Sequence, residues 1–303
     1  TADYLTIDPG FGTEEDFKSL CASAKELGIR VILDGVFSHT GDDSIYFNRW
    51  GNYPQPGAYG AEPSPYDDWY RFGEQYPAGY ECWWGVDSLP DVEETNPGYQ
   101  ALICGENGVI RKWLRLGASG WRLDVADELP DSFIAEIRTA CKREKEDALL
   151  LGEVWEDASH KISYDRLREY LLGRELDCTM HYPFRDGAVA FLLGQKTAGE
   201  FAEEMEAIRE NYPETALYGA LNLVGTHDTP RILTVLGEAP EGLSEPEREN
   251  YLLPEELRGR AERRLRLLDV LLFAFPGVPC VYYGDEAGVE GYADPFNRST
   301  FPW

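Results

Sequence analysis

Gly120-Trp121-Arg122-Leu123-Asp124-Val125-Ala126-Asp127-Glu128 is the most informative run of the chain. Trp121, Leu123 and Val125 alternate with Arg122, Asp124 and Ala126, a period of two that predicts a strand with Arg122 and Asp124 on one face. The interior of a protein rarely holds a cation beside a carboxylate unless the two are paired or at work. The guanidinium favours the ionised carboxylate. An ionised, oriented carboxylate at a strand end is what covalent displacement at carbon requires. A structural ion pair explains this run alone equally well.

Working outward, helices and strands alternate. Thr13 is a good N-cap with Asp16 at N3, so a helix is expected from about Glu14 to Leu27, closed by Gly28. Ile29 to Phe37 is a nearly continuous apolar run, the pattern of a parallel strand buried on both faces. Further strands are expected over Trp121–Val125, Ala148–Trp155, Leu176–Tyr182, Ala220–Gly225 and Pro279–Tyr283. Helices are expected at about Asn107–Leu116, Pro130–Lys145, Tyr164–Leu172, Ala198–Asn211 and Pro254–Phe275. This rhythm predicts a parallel α/β architecture. Polar residues close at least four strands (Asp34/His39, Arg122/Asp124, Glu153, His227/Asp228), which favours a (β/α)8 barrel over an open sheet, because a barrel gathers all such ends at one face. Six strands are counted. Residues 40–100 break the rhythm and are rich in Pro, Gly, Tyr and Trp, so they read as an inserted subdomain. Most of its rings are expected to form a mini-core, with one of Trp83 and Trp84 exposed as an apolar platform.

The 303 residues carry 55 acidic and 28 basic side chains, a net charge of −27. That excess argues against nucleic acid and anionic membranes as partners and suits a neutral polar ligand. The cysteines at 21, 82, 104, 141, 178 and 280 form no zinc-type spacing. Cys21, Cys141 and Cys280 lie in apolar patterns. Free thiols and a reducing, cytoplasmic compartment are expected. No apolar run is long enough to span a membrane, and neither GxGxxG nor GxxxxGK[ST] occurs.

Four motifs stand in order at strand ends: DGVFSH (34–39), GWRLDVADE (120–128), GEVW (152–155) and GTHDTPR (225–231). Together they resemble the four hallmark regions of the α-amylase family of glycoside hydrolases. LPDVEETNP (89–97) resembles its fifth region. YECWWGVDSLP (80–90) and GDEAGVEGYADPFNRSTFPW (284–303) resemble the neopullulanase, cyclomaltodextrinase and maltogenic amylase branch. The resemblance implies a retaining hydrolase of α-1,4 glucosidic bonds, with α-1,6 bonds as a further class, acting on maltooligosaccharides, cyclodextrins, pullulan or starch. It implies Asp124 as nucleophile, Glu153 as general acid and then base, and Asp228 as the group that grips sugar hydroxyls in the transition state. Arg122 would orient Asp124, His39 and His227 would bind hydroxyls, and Asp34 would fix Arg122 from behind. Trp83 and Trp84 would face sugar. Arg231 and the Asp294/Arg298 pair match substrate-side positions, where a local salt-bridge network is an equal reading.

The residue types agree with this chemistry. Retaining hydrolysis needs two carboxyls about 5–5.5 Å apart in opposite protonation states. Asp124 has a cation two residues away, and the apolar run before Glu153 favours a proton there. Glu93 and Asp91 depart from the Asn and Lys usual in the branch, which leaves the preferred glucan open. The resemblance also implies an incomplete barrel, with the first two strands and the last helix missing. Residues 1–39 and 101–303 would form the partial barrel and 40–100 the insertion, within a longer protein that homodimerises. No cofactor is required and no metal site follows from ligand spacing, although some relatives hold structural calcium. A transglycosylase and a catalytically silent glucan-binding protein are the alternative readings.

Overall fold

The computed structural model describes all 303 residues. They group into two compact units: residues 1–153 with 162–177, and residues 154–161 with 178–303. Each holds three parallel strands.

In the first unit, Ile32–Gly35, Gly120–Leu123 and Leu149–Gly152 pair in parallel, with Asp34 opposite Arg122 and Leu123 opposite Gly152. The helix Glu14–Glu26 begins in a capping box: Thr13 accepts from the Asp16 amide and Asp16 accepts from that of Thr13. Gly28 ends it because its φ of 75° lies in the left-handed region open to glycine. The helix Asp131–Glu144 buries Phe133, Ile134, Ile137, Ala140 and Cys141, one stripe at helical spacing. Each large apolar side chain in that stripe contributes roughly 1.5–3 kcal/mol by leaving water. The strand Gly120–Leu123 is buried along its whole length.

Two expectations are corrected here. Ile32–Gly35 is not buried on both faces: Ile32 and Leu33 are half-buried and Asp34 is exposed. Its only partner strand is Gly120–Leu123, so its other edge is uncovered. The helix expected over Tyr164–Leu172 does not form. Ile162–Ser163 and Arg166–Leu167 pair antiparallel instead, around Tyr164 and Asp165, both left-handed at φ 51° and 58°. Of the charges that imitated a helical face, Asp165, Arg166 and Glu169 stay exposed and only Arg168 turns inward, where it pairs with Asp131 at 2.6 Å and donates to the Asp127 carbonyl at 2.9 Å.

Residues 40–96 hold two short 3-10 turns, Asp67–Trp69 and Trp83–Gly85, and isolated bridges such as His39 to Asp91. Their rings form the expected mini-core. Phe47 lies 4.8 Å from Tyr70 and 4.7 Å from Tyr80, and Trp69 lies 5.3 Å from Tyr99. The helix Pro97–Cys104, unmarked by the sequence reading, follows an Asn96 cap.

In the second unit, Cys178–His181, Leu221–Leu223 and Val278–Cys280 pair in parallel. Helices Tyr182–Leu192, Ala198–Asn211 and Glu255–Ala274 accompany them. The last is long but buries only Ala261, Leu268 and Leu272, while Leu267, Val270 and Phe273 face solvent. None of the six cysteines is in a disulfide, and Cys280 is half-buried where a core position was expected. No helix is long and apolar enough to cross a membrane.

Candidate active site

In the first unit the chemistry gathers where the parallel strands end. The register continues one step beyond them: the Asp124 amide donates to the Gly35 carbonyl at 3.1 Å and the Glu153 amide to that of Leu123 at 3.0 Å. Strand alternation then sets Asp34, Arg122, Asp124 and Glu153 on one face. Arg122 serves all three carboxylates. Its Nη1 donates to Asp34 Oδ1 at 2.6 Å and Asp124 Oδ1 at 2.7 Å, and its Nη2 to Glu153 Oε2 at 2.7 Å. Asp124 and Glu153 are therefore separated by no more than one guanidinium with a hydrogen bond at either end. Burial by itself would weaken the Arg122 cation; Asp34, Glu153 and Asp124 outweigh it and hold the guanidinium charged, above its ordinary range.

The chain turns sharply after Asp124. Val125 takes a left-handed φ of 37°, a conformation that costs a β-branched residue about 1–3 kcal/mol. The turn lets the Val125 amide donate to Glu153 Oε2 at 2.9 Å and the Ala126 amide to the Glu153 carbonyl at 3.1 Å. Glu153 is thus gripped through side chain and backbone, and it is 4% exposed. Asp124 is half-buried, with Oδ1 tied to Arg122.

His39 is buried, and that burial pushes its pKa down to about 4 against the opposing pull of Asp124. The ring is neutral at pH 7 and can donate and accept. Its centroid lies 5.2 Å from the half-buried Trp83, which stacks on Trp84 at 5.1 Å and 12°. Trp84 is 77% exposed, as expected of one ring in the pair. Its indole Nε1 donates to Glu128 at 3.2 Å, and Tyr164 donates to the same carboxylate. Glu128 received no role from the sequence, because both partners are brought to it by tertiary structure. Tyr4 was likewise read as loop; its hydroxyl donates to the carbonyls of Val36 at 2.7 Å and His39 at 3.1 Å.

A second set belongs to the other unit. After Leu221–Leu223, Gly225 passes so close to Asp285 that a Cβ would lie 2.4 Å from Oδ2. The turn that follows is tied internally: the Thr226 amide donates to Thr229 Oγ1 at 3.0 Å and the Asp228 amide to Thr226 Oγ1 at 3.1 Å. It presents half-buried His227 and exposed Asp228, whose side chains lie 3.2 Å apart. Arg298 reaches Asp228 at 3.6 Å and Asp294 at 2.8 Å. Arg231 is a correction. It is fully buried, bonded to the Tyr283 carbonyl and, at 3.1 Å, to Asp285, with its guanidinium 4.3 Å from the centre of the Tyr282 ring. It anchors the segment after the last strand and has no surface to offer a ligand. No group of three or more His, Cys, Asp or Glu side chains is arranged to hold a metal ion.

Two carboxylates held by one arginine at adjacent parallel strand ends form an arrangement suited to acid–base and nucleophilic chemistry. The family model described as alpha amylase, catalytic domain, matches residues 1–300. The chain belongs to the α-amylase family. It is 41% identical to an amylopullulanase of Thermoanaerobacterium thermosulfurigenes over 333 aligned residues, covering all of this chain and 17% of that protein. It is 34% identical to a cyclomaltodextrinase of Geobacillus thermopakistaniensis, covering all of this chain and 46% of that protein. The solved cyclic α-maltosyl-(1→6)-maltose hydrolase of Arthrobacter globiformis superimposes with a TM-score of 0.82 at 31% identity, over all of this chain and 61% of that one. The chain thus spans less than half the length of these curated relatives. The parallel strands and this likeness fit a (β/α)8 barrel.

Proposed function

We propose that this chain breaks α-glucosidic bonds between glucose units by a retaining double displacement. The observation that carries the reading is the single guanidinium of Arg122 bound to both Asp124 and Glu153. In the first step Asp124 attacks the anomeric carbon, the bond to the departing sugar breaks, and Glu153 gives its proton to the leaving oxygen. In the second, Glu153 takes a proton from water as that water displaces Asp124. One cation stands against three carboxylates, and the deepest of them is Glu153. Asp228, His227 and neutral His39 act on sugar hydroxyls, and the Trp83–Trp84 stack gives the sugar ring an apolar face.

The substrates are α-glucans with α-1,4 and α-1,6 links. The names of the relatives support an α-glucan substrate: amylopullulanase, cyclomaltodextrinase, and a hydrolase of a cyclic maltosyl-(1→6)-maltose, the last of which carries a 1→6 link. Asp294 and Arg298 are proposed to meet substrate beside Asp228. We further infer a cytoplasmic enzyme, supported by six cysteines without a disulfide.

Asp124→Asn keeps the shape and removes the nucleophile. Turnover of maltotriose, pullulan and cyclodextrin by the full chain should fall by about 10⁴-fold or more, with substrate binding retained. Activity within tenfold of the parent would end the assignment. The products of the parent from maltotriose separate hydrolysis from transfer, since longer oligomers mean that sugar, and not water, attacked.

A further inference from the structure

We propose that Asn297 is a positioning residue for the turn that carries His227 and Asp228. The inference rests on the reading of Asp228 as a substrate-gripping carboxylate. Asn297 lies in the 3-10 turn Phe296–Arg298 and is fully buried, so it cannot itself meet a ligand. Its Nδ2 donates to the His227 carbonyl at 2.7 Å and the Thr229 carbonyl at 2.8 Å, with the Thr226 carbonyl at 3.5 Å. The first two carbonyls lie on either side of Asp228 in the chain. The backbone of the acid is thereby clamped before and after the residue, by one side chain.

The turn's own bonds cannot do this. Thr226 and Thr229 satisfy the amides of Thr226 and Asp228, and leave the carbonyls of His227 and Thr229 to an outside donor. A carboxamide suits the place because its –NH2 carries two protons and the backbone offers only acceptors. An aspartate of the same shape would set acceptor against acceptor. The next residue, Arg298, addresses the Asp228 carboxylate from the same turn at 3.6 Å while paired to Asp294. One short turn thus addresses both the main chain and the charge of Asp228. A displacement of about 1 Å at such a group is enough to cost about two orders of magnitude in rate.

The test is a series at position 297 in the full chain: Asn297→Ala, Asn297→Asp and Asn297→Ser, assayed on maltotriose for kcat and KM beside thermal melting. The expected order of kcat is parent, Ser, Ala, Asp, with Asn297→Ala at least tenfold down and the serine variant, which keeps one donor, partly restored. In an Asp228→Glu background, Asn297→Ala should cost less than threefold more, because both act through the same carboxylate. Equal kcat across the series, or a full multiplicative loss in that background, overturns the inference and leaves Asn297 a packing residue. If Asn297→Asp does not fold, the Ser and Ala pair carries the comparison. Should Asp228→Asn keep the parent's kcat, the reading of Asp228 fails instead, a separable outcome.

Discussion

At the scale of single residues, charge and solvation set the behaviour of this chain. Glu94 borders a cavity of about 330 Å3 with Asp91, Glu81, Arg71 and Glu128. Burial pushes its pKa up to about 8, and that of Asp91, with Glu81 adding to the effect, up to about 7. The unfolded chain gives Glu94 its ordinary value near 4.5. Between these two values the folded state holds a proton that the unfolded state has released, so stability is full below about pH 4.5 and drains away as pH rises to 8. Glu94→Gln supplies an uncharged mimic of the protonated acid. The urea midpoint of the variant should fall less between pH 5 and pH 8 than that of the parent, and should lie above the parent's at pH 8. Parallel curves would show that Glu94 titrates normally. Arg122 shows the opposite balance, where burial is outweighed by three nearby carboxylates and the charge survives.

Among the elements, the hairpin Ile162–Leu167 separates what periodicity can see from what it cannot. Tyr164 and Asp165 are both left-handed, as a two-residue turn between twisted strands demands. Had the segment been the helix its charges suggest, position 165 would lie in the first turn, where proline is well tolerated. In the hairpin, proline cannot reach φ 58°. Asp165→Pro should therefore cost about 1–3 kcal/mol in equilibrium unfolding, and Asp165→Gly should be neutral or mildly stabilising. A harmless proline would restore the helical reading. The turn also delivers Tyr164 to Glu128, so the proline variant should loosen the Trp84 side of the site as well.

For the 303-residue chain taken by itself, two surface properties oppose each other. A net charge of −27 keeps copies apart, yet large apolar side chains stand in water: Phe11 is 89% exposed, Leu27 77% and Phe273 67%. The strands Ile32–Gly35 and Val278–Cys280 each pair along one edge only, and an open strand edge is a template for association. Repulsion between exposed charges fades beyond about 10 Å at 0.1 M salt. The weight-average mass of the 303-residue chain in light scattering should therefore climb as sodium chloride is raised from about 20 to about 500 mM, where the screening length shrinks severalfold. A constant monomer mass across that range would mean that the apolar surface is not adhesive. The sequence by itself determined the parallel alternation of helices and strands, the acidic charge, and the strand-end places of Asp34, Arg122, Asp124 and Glu153, because strand periodicity and strand-end position are local properties of neighbouring residues, while their grouping as one set came from the resemblance to the family. Only tertiary structure decided that one arginine serves three carboxylates, that Arg231 is walled off, that Tyr164 begins no helix, and that Asn297 holds the turn of Asp228. Each of those depends on groups tens of residues apart meeting inside hydrogen-bond distance, and no periodicity in the chain encodes which groups those are.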